Sequence, residues 1–289
     1  MALYLDDSRY CLLTSPDARN WTRTQDISLE GLRECPDFFP LVDESGKEYW
    51  IFLGAGNKYL IGTFDGHEFR GEGQAKQFDH GRNSYASQTW SNTPDKRCIQ
   101  ISWMAGGKYP EMPFNQQLSI PVVLSLQGQG PDASLVRYPV EEIESLRTQS
   151  VCINRQTISL GSPLKVKTES KLMDIEFTVT PGDGNSLYLV VRGHPILFDW
   201  KKRELTTQSS GWDKHLGGSE KAPIPDCDNL HVRILVDTTS IEIFLNYGQV
   251  SASYCFLPGG YMEALSLATY SDDQIIADFV LHELKSIWQ

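Results

Sequence analysis

The stretch Arg33-Glu34-Cys35-Pro36-Asp37-Phe38-Phe39-Pro40-Leu41 sets two carboxylates, Glu34 and Asp37, around a cysteine and a proline, directly ahead of an apolar run. Pro36 removes a backbone donor and pushes Cys35 towards an extended conformation, so Glu34 is expected at a strand entrance. A carboxyl group there, backed by Phe38 and Phe39, could have a raised pKa and act as a general acid. The competing reading of the same residues is a surface turn that begins a strand.

The elements that must position this stretch are strands. Short apolar or alternating runs are separated by Gly, Asp, Asn and Pro turns, and helical periodicity is nearly absent, which marks an all-β chain. Runs at 2–5, 9–14 and 21–27 form one set, and runs at 38–42, 49–55 and 59–64 a second. A third holds 84–91, 97–105, 118–126 and 134–140. Each set is about 45 residues long, the length of a four-stranded propeller blade. A short charged helical turn, Glu141 to Arg147, lies in a linker at 141–150. From 151 to 289 the strands lengthen and alternate with period two, as at Leu172–Thr180 and Ile275–Leu284, the pattern of a two-sheet sandwich. The expected architecture is all-β: a partial, roughly three-blade propeller over 1–140 and a β-sandwich over 151–289.

Composition narrows the function. The 289 residues are 40% hydrophobic and 22% charged, with seven Trp and twelve each of Tyr and Phe, as in a globular protein. A net charge of −11 argues against nucleic acid and against anionic membrane surfaces. No apolar run approaches the roughly 20 residues of a membrane helix. The N-terminus lacks the basic region and apolar core of a signal peptide, so the chain as written reads as cytoplasmic, or as extracellular or periplasmic if its true start lies upstream. Cys11, Cys35, Cys98, Cys152, Cys227 and Cys255 show no close pairing and read as buried or idle thiols. His67, His80, His194, His215, His231 and His282 are dispersed, and the Gly-Gly pairs at 106, 217 and 259 form no phosphate loop. No metal or cofactor is expected.

Six segments, in order, resemble one family: Glu34-Cys35-Pro36-Asp37, the run from Gly54-Ala55-Gly56-Asn57 to Asp65-Gly66, Tyr85-Ala86-Ser87-Gln88-Thr89-Trp90, Ile101-Ser102-Trp103-Met104, the run from Met112 to Pro121, and the run from Val236 to Asn246. They are similar to glycoside hydrolase family 32, the invertases, levanases and inulinases, whose fold is a five-bladed propeller followed by a β-sandwich. The resemblance implies a substrate of the β-fructoside class, a fructose-containing oligosaccharide or polysaccharide. It implies that Glu34 is the acid/base of a retaining mechanism, in which a second carboxylate about 5–5.5 Å away attacks the sugar. Cys35 would be a small packing neighbour of Glu34. Tyr85, Gln88, Trp103 and Asn115 become candidate sugar contacts, since aromatic faces cover a sugar's C–H side and amides and hydroxyls bind its rim. Asp37 joins them as a supporting residue that orients a neighbour or caps a turn. For each, core packing is the competing role, and Trp50 and Trp90 are expected to be structural.

The family's nucleophile motif, Trp-Met-Asn-Asp-Pro-Asn-Gly, and its Arg-Asp-Pro motif do not occur in this sequence. The resemblance begins inside the third blade, so roughly two and a quarter blades would be missing. Such a chain is expected to be inactive alone, with an exposed sheet edge that a second copy or another chain covers. The alternative is a non-catalytic fructan-binding or oligomeric interaction protein derived from the enzyme family. A gene fragment with an incidental fold is a further reading.

Overall fold

The computed structural model describes residues 1–107, 109–110, 112–181, 186–207, 221–258 and 265–288. His215 and the Gly-Gly pairs at 217 and 259, weighed above as metal or phosphate ligands, lie outside the described residues. Strands dominate, and the fold is a partial propeller followed by a β-sandwich. The chain divides into two compact units: Met1–Asp79, Ser84–Trp103 and Ile120–Tyr138 make the first, and His80–Asn83, Met104–Ser119 and Pro139–Gln289 the second.

The first unit holds three antiparallel sheets. Ala2–Asp6 (β1), Arg9–Thr14 (β2) and Thr22–Ser28 (β3) pair in sequence order. Asp37–Val42 (β4), Glu48–Gly54 (β5), Lys58–Phe64 (β6) and Phe69–Gln77 (β7) form a four-stranded meander. In the third sheet Ser84–Trp90 (β8) pairs with Cys98–Met104 (β9), then come Val122–Gln127 (β11) and Ser134–Pro139 (β12); Gln117–Leu118 (β10) is a two-residue strand of the second unit. The alternation of β2 and β5 packs Tyr10 and Leu12 against Phe52, with Leu32, Leu60 and Phe69 closing a small aromatic-rich core. The third sheet is held differently. Arg137, 1% exposed, pairs with Asp79, reaches Gln100 Oε1 at 2.8 Å and Ser102 Oγ at 3.4 Å, and lies over the Phe78 ring. Such a buried pair persists only because hydrogen bonds satisfy both charges.

The second unit is a sandwich of two six-stranded sheets. Its strands are Arg147–Ile158 (β13), Leu164–Val166 (β14), Met173–Thr180 (β15), Ser186–Val191 (β16), His194–Asp199 (β17), Glu204–Thr207 (β18), Lys221–Pro223 (β19), Leu230–Val236 (β20), Ser240–Leu245 (β21), Val250–Cys255 (β22), Leu265–Thr269 (β23) and Gln274–Leu284 (β24). One sheet runs β13-β24-β15-β20-β21-β22 and the other β14-β23-β16-β17-β18-β19. Inward residues such as Ile175, Phe177, Leu189, Phe198, Ile234 and Phe279 are fully or almost fully buried in one continuous apolar core. On the other face of the first sheet, Asp174 is gripped by Arg147 and Arg233. A 3₁₀ helix, Glu141–Leu146, precedes β13. All six cysteines are free, Cys11 and Cys255 buried and Cys35 and Cys152 exposed. Among the described residues no helix is long and apolar enough to cross a membrane.

Candidate functional site

Glu34 sits at the entrance to β4, and the backbone that carries it is unusual. Arg33 has φ +67° and Cys35 φ +51°, so both residues flanking Glu34 are left-handed without being glycine. This corrects the extended conformation expected for Cys35. A following proline excludes the right-handed helical region, and here the tertiary partners of the turn select the left-handed well instead.

Those partners come from the loop after β5 and from β8. Gly54 packs so closely on this turn that a Cβ there would lie 1.9 Å from the Leu32 carbonyl oxygen, so only glycine fits. The Ala55 N–H donates to the Glu34 carbonyl at 2.9 Å, and the Ala86 N–H donates to the Ala55 carbonyl at 3.1 Å. Asn57, left-handed at φ +61°, donates from Nδ2 to the Ser84 carbonyl at 2.7 Å and accepts the Ser84 hydroxyl at 3.1 Å. Ser84 and Ala86 flank Tyr85. The loop thus fixes the backbone on both sides of the site, and the Tyr85 hydroxyl donates to Glu34 Oε1. Asparagine tolerates the left-handed well, and the glycines permit close approach.

This contact is the largest influence on the Glu34 carboxyl. The hydrogen bond from Tyr85 holds its carboxyl below the ordinary glutamate value, aided by a backbone hydrogen bond and the Arg33 charge. The raised pKa expected from Phe38 and Phe39 is therefore overturned. Glu34 is partly open to solvent, and the desolvation that opposes the hydrogen bond is the smaller effect. Tyr85 moves the opposite way: burial, then the carboxylate it serves, pushes its phenol up. Trp103, 41% exposed on β9, meets the Tyr85 ring edge-on at 6.1 Å between centroids.

The other expected residues divide. Gln88 Nε2 lies 3.2 Å from the Cys35 carbonyl and 3.0 Å from that of Ser87, so it joins the turn through the backbone. Asp37 accepts the Thr89 N–H at 2.6 Å and the Phe38 N–H at 2.9 Å, tying β4 to β8, and burial pushes its carboxyl up. Its charge in turn helps burial push the Cys98 thiol up to about 12. Asn115 is exposed in the second unit. Cys35 is exposed, not packed as expected, and meets Gln88 through its carbonyl. Trp50 packs on Phe38 and Phe64 as a structural residue, but Trp90 is 49% exposed. It lies two positions along β8 from exposed Gln88, on the same outward face. Sequence reasoning also passes over Arg33, whose charge acts on both Glu34 and Tyr85. Its only signal there is adjacency to Glu34.

Comparison with known proteins matches the chain to a family. Residues 4–139 match the model described as glycosyl hydrolases family 32 N-terminal domain, and residues 142–283 that of the family's C-terminal domain. The levanase of Bacillus subtilis (strain 168) is 27% identical, aligned over 97% of this chain and 47% of its own length. The sucrose-6-phosphate hydrolase of Escherichia coli is 27% identical over 81% of this chain and 51% of its own. Among solved structures, the exo-inulinase of Aspergillus awamori superposes with a TM-score of 0.82 at 19% identity, covering 98% of this chain and 63% of that one. A fructofuranosidase of Schwanniomyces occidentalis, complexed with fructosylnystose, gives 0.83 at 17% identity, covering 96% and 65%. At those identities the structures speak for the fold. The chain spans about half the length of the B. subtilis levanase and the E. coli hydrolase. With both family models matched across nearly its whole length, the chain belongs to glycoside hydrolase family 32.

Proposed function

We propose that this chain carries the acid/base half of a β-fructoside site, with Glu34 as the acid/base, and that alone it binds fructo-oligosaccharides without hydrolysing them. The observation that carries this reading is the Glu34–Tyr85 contact beside the exposed indole of Trp103. A carboxylate and a phenol offer an acceptor and a donor to sugar hydroxyls, and the indole offers apolar surface to the C–H face. The substrate class rests on the relatives: levanases, an inulinase, and a fructofuranosidase complexed with fructosylnystose.

The protonation state supports binding without turnover. A general acid must hold a proton, and the Tyr85 hydrogen bond favours the ionised form of Glu34. Retaining hydrolysis needs a second carboxylate about 5–5.5 Å away. The groups that lower the Glu34 pKa are Tyr85, a backbone hydrogen bond and Arg33. An anion brought alongside Glu34 would raise its pKa by repulsion. The missing nucleophile would therefore also tune the acid.

Titration calorimetry with fructo-oligosaccharides, paired with hydrolysis assays on sucrose, inulin and levan, tests this reading. Binding without turnover is expected. Turnover that disappears in Glu34→Gln would overturn it, and so would the absence of any binding. A second reading, an interaction protein of the same family, is favoured by one observation. Leu3 and Leu5 stand 44% and 39% exposed on β1, an edge strand of its sheet. If it holds, sedimentation shows a self-associated species that Leu5→Lys disperses.

A further inference from the structure

The turn that presents Glu34 is caught at four consecutive carbonyls. Leu32 C=O accepts the Gly56 N–H at 3.4 Å, and Arg33 C=O accepts the Tyr10 hydroxyl. Glu34 C=O accepts the Ala55 N–H at 2.9 Å, and Cys35 C=O accepts the Gln88 amide at 3.2 Å. Two of these donors are side chains, one at each end of the pair of left-handed residues. Tyr10 is fully buried on β2, its ring edge-on to Phe52 at 5.1 Å and to Tyr4 at 5.6 Å, so its hydroxyl has a fixed origin. Gln88 is exposed on β8, in the same strand as Tyr85.

A left-handed residue that is not glycine persists only where surrounding contacts over-determine it. Released from its carbonyl clamps, the 33–35 backbone would relax towards ordinary φ values, and the Glu34 side chain would swing with it. We propose that Tyr10 and Gln88 are positioning residues: by holding the Arg33 and Cys35 carbonyls, they keep the strained turn in the form that sets the Glu34 carboxylate on the Tyr85 hydroxyl. Neither side chain need touch a sugar for this role. For Gln88 it adds to the sugar contact expected from its motif. The proposal rests on the reading of Glu34 and Tyr85 as the site, and it deepens that reading.

The test uses the whole chain and no ligand. The Glu34 carboxyl is titrated by carbon-detected NMR in the native protein and in Tyr10→Phe, Gln88→Ala and Tyr85→Phe. The last variant sets the value reached when the phenol hydrogen bond is gone. Tyr10→Phe keeps the ring packing and removes one hydroxyl, while Gln88→Ala alters an exposed side chain, so its fold is preserved if Tyr10→Phe fails to fold. Both variants are expected to move the Glu34 midpoint upward, towards that of Tyr85→Phe. Both are also expected to weaken fructo-oligosaccharide binding about fivefold, the worth of one net hydrogen bond. A Glu34 midpoint unchanged from the native protein in the folded variants, even with a lowered Tm, would overturn the proposal and leave Tyr10 and Gln88 as ordinary structural residues. If the native protein binds no fructoside, the functional reading fails and the titration still decides the positioning role.

Discussion

Both units place left-handed, non-glycine residues in the turns between strands, and the propeller unit has a second set elsewhere. In the sandwich, Arg192 sits in the hairpin between β16 and β17, Arg203 in the turn before β18, and Asn246 and Tyr247 in the turn between β21 and β22. Asp278 marks the irregularity where β24 slips register against β15. All four places are where strand geometry itself calls for positive φ. In the propeller unit Asp7, Ala18, Asn92 and Lys96 occupy such turns too, while Arg33, Cys35, Asn57 and Ala86 gather around one carboxylate. Unusual backbone in the sandwich serves the sheet, whereas around Glu34 it serves a side chain. The cores differ in the same sense. The sandwich buries one continuous apolar cluster, while the propeller unit buries the Arg137–Asp79 network beside its aromatic group and further apolar residues such as Ile51, Leu124 and Leu135.

Phe279→Ala offers the sharpest break of this comparison. The side chain is fully buried and stacks on Phe177 at 6.2 Å, so its loss is expected to cost about 3–5 kcal/mol in urea denaturation. A loss under about 1 kcal/mol would show a core that collapses around the gap. Gly54→Ala comes next. Its Cβ must push against a carbonyl rather than a flexible side chain, at about 1–3 kcal/mol. It should also lift the Glu34 midpoint, whereas a stability loss without that lift would separate the loop from the site.

Smaller effects separate the two carboxylates of the opening motif. Glu34 is held low by Tyr85, so its stabilising contribution is present above its ordinary unfolded value and fades as pH falls through its folded one. Asp37 is pushed up by burial, so its contribution is present below its unfolded value and is lost as pH rises through the folded one. An NMR titration should show the two midpoints displaced in opposite directions. Tyr85→Phe should move only Glu34, towards its ordinary value. A parallel shift of Asp37 would mean the variant has disturbed β4 as a whole.

Much of this was legible in the residues. Period-two alternation exposed the strands, and even the division of 232–245 into β20 and β21 followed from the polar Asp237-Thr238-Thr239 turn. The order of the motifs singled out Glu34, Tyr85 and Trp103, which the structure brings together. The conformation of Cys35 was not legible. Local sterics before Pro36 exclude one well, while Ala55 and Gln88, distant in sequence, choose between the remaining ones. The direction of the Glu34 shift was hidden for a similar reason, since neighbouring phenylalanines are visible in sequence and a phenol from β8 is not. Trp90 misled because a large indole usually signals a core, and only the facing of β8 shows it outside.

The four carbonyls of the Glu34 turn also bear on how the molecule is made. Their donors lie at residue 10, at residues 55 and 56, and at residue 88, one group in each of the first unit's three sheets or the loops that follow them. No segment of the chain supplies the turn from its own neighbours. Contacts so far apart in sequence form late, after the loops between them have closed. A nascent chain would therefore set its carboxylate in place only after β8 has joined β4, since Tyr85 and Gln88 both lie on that strand.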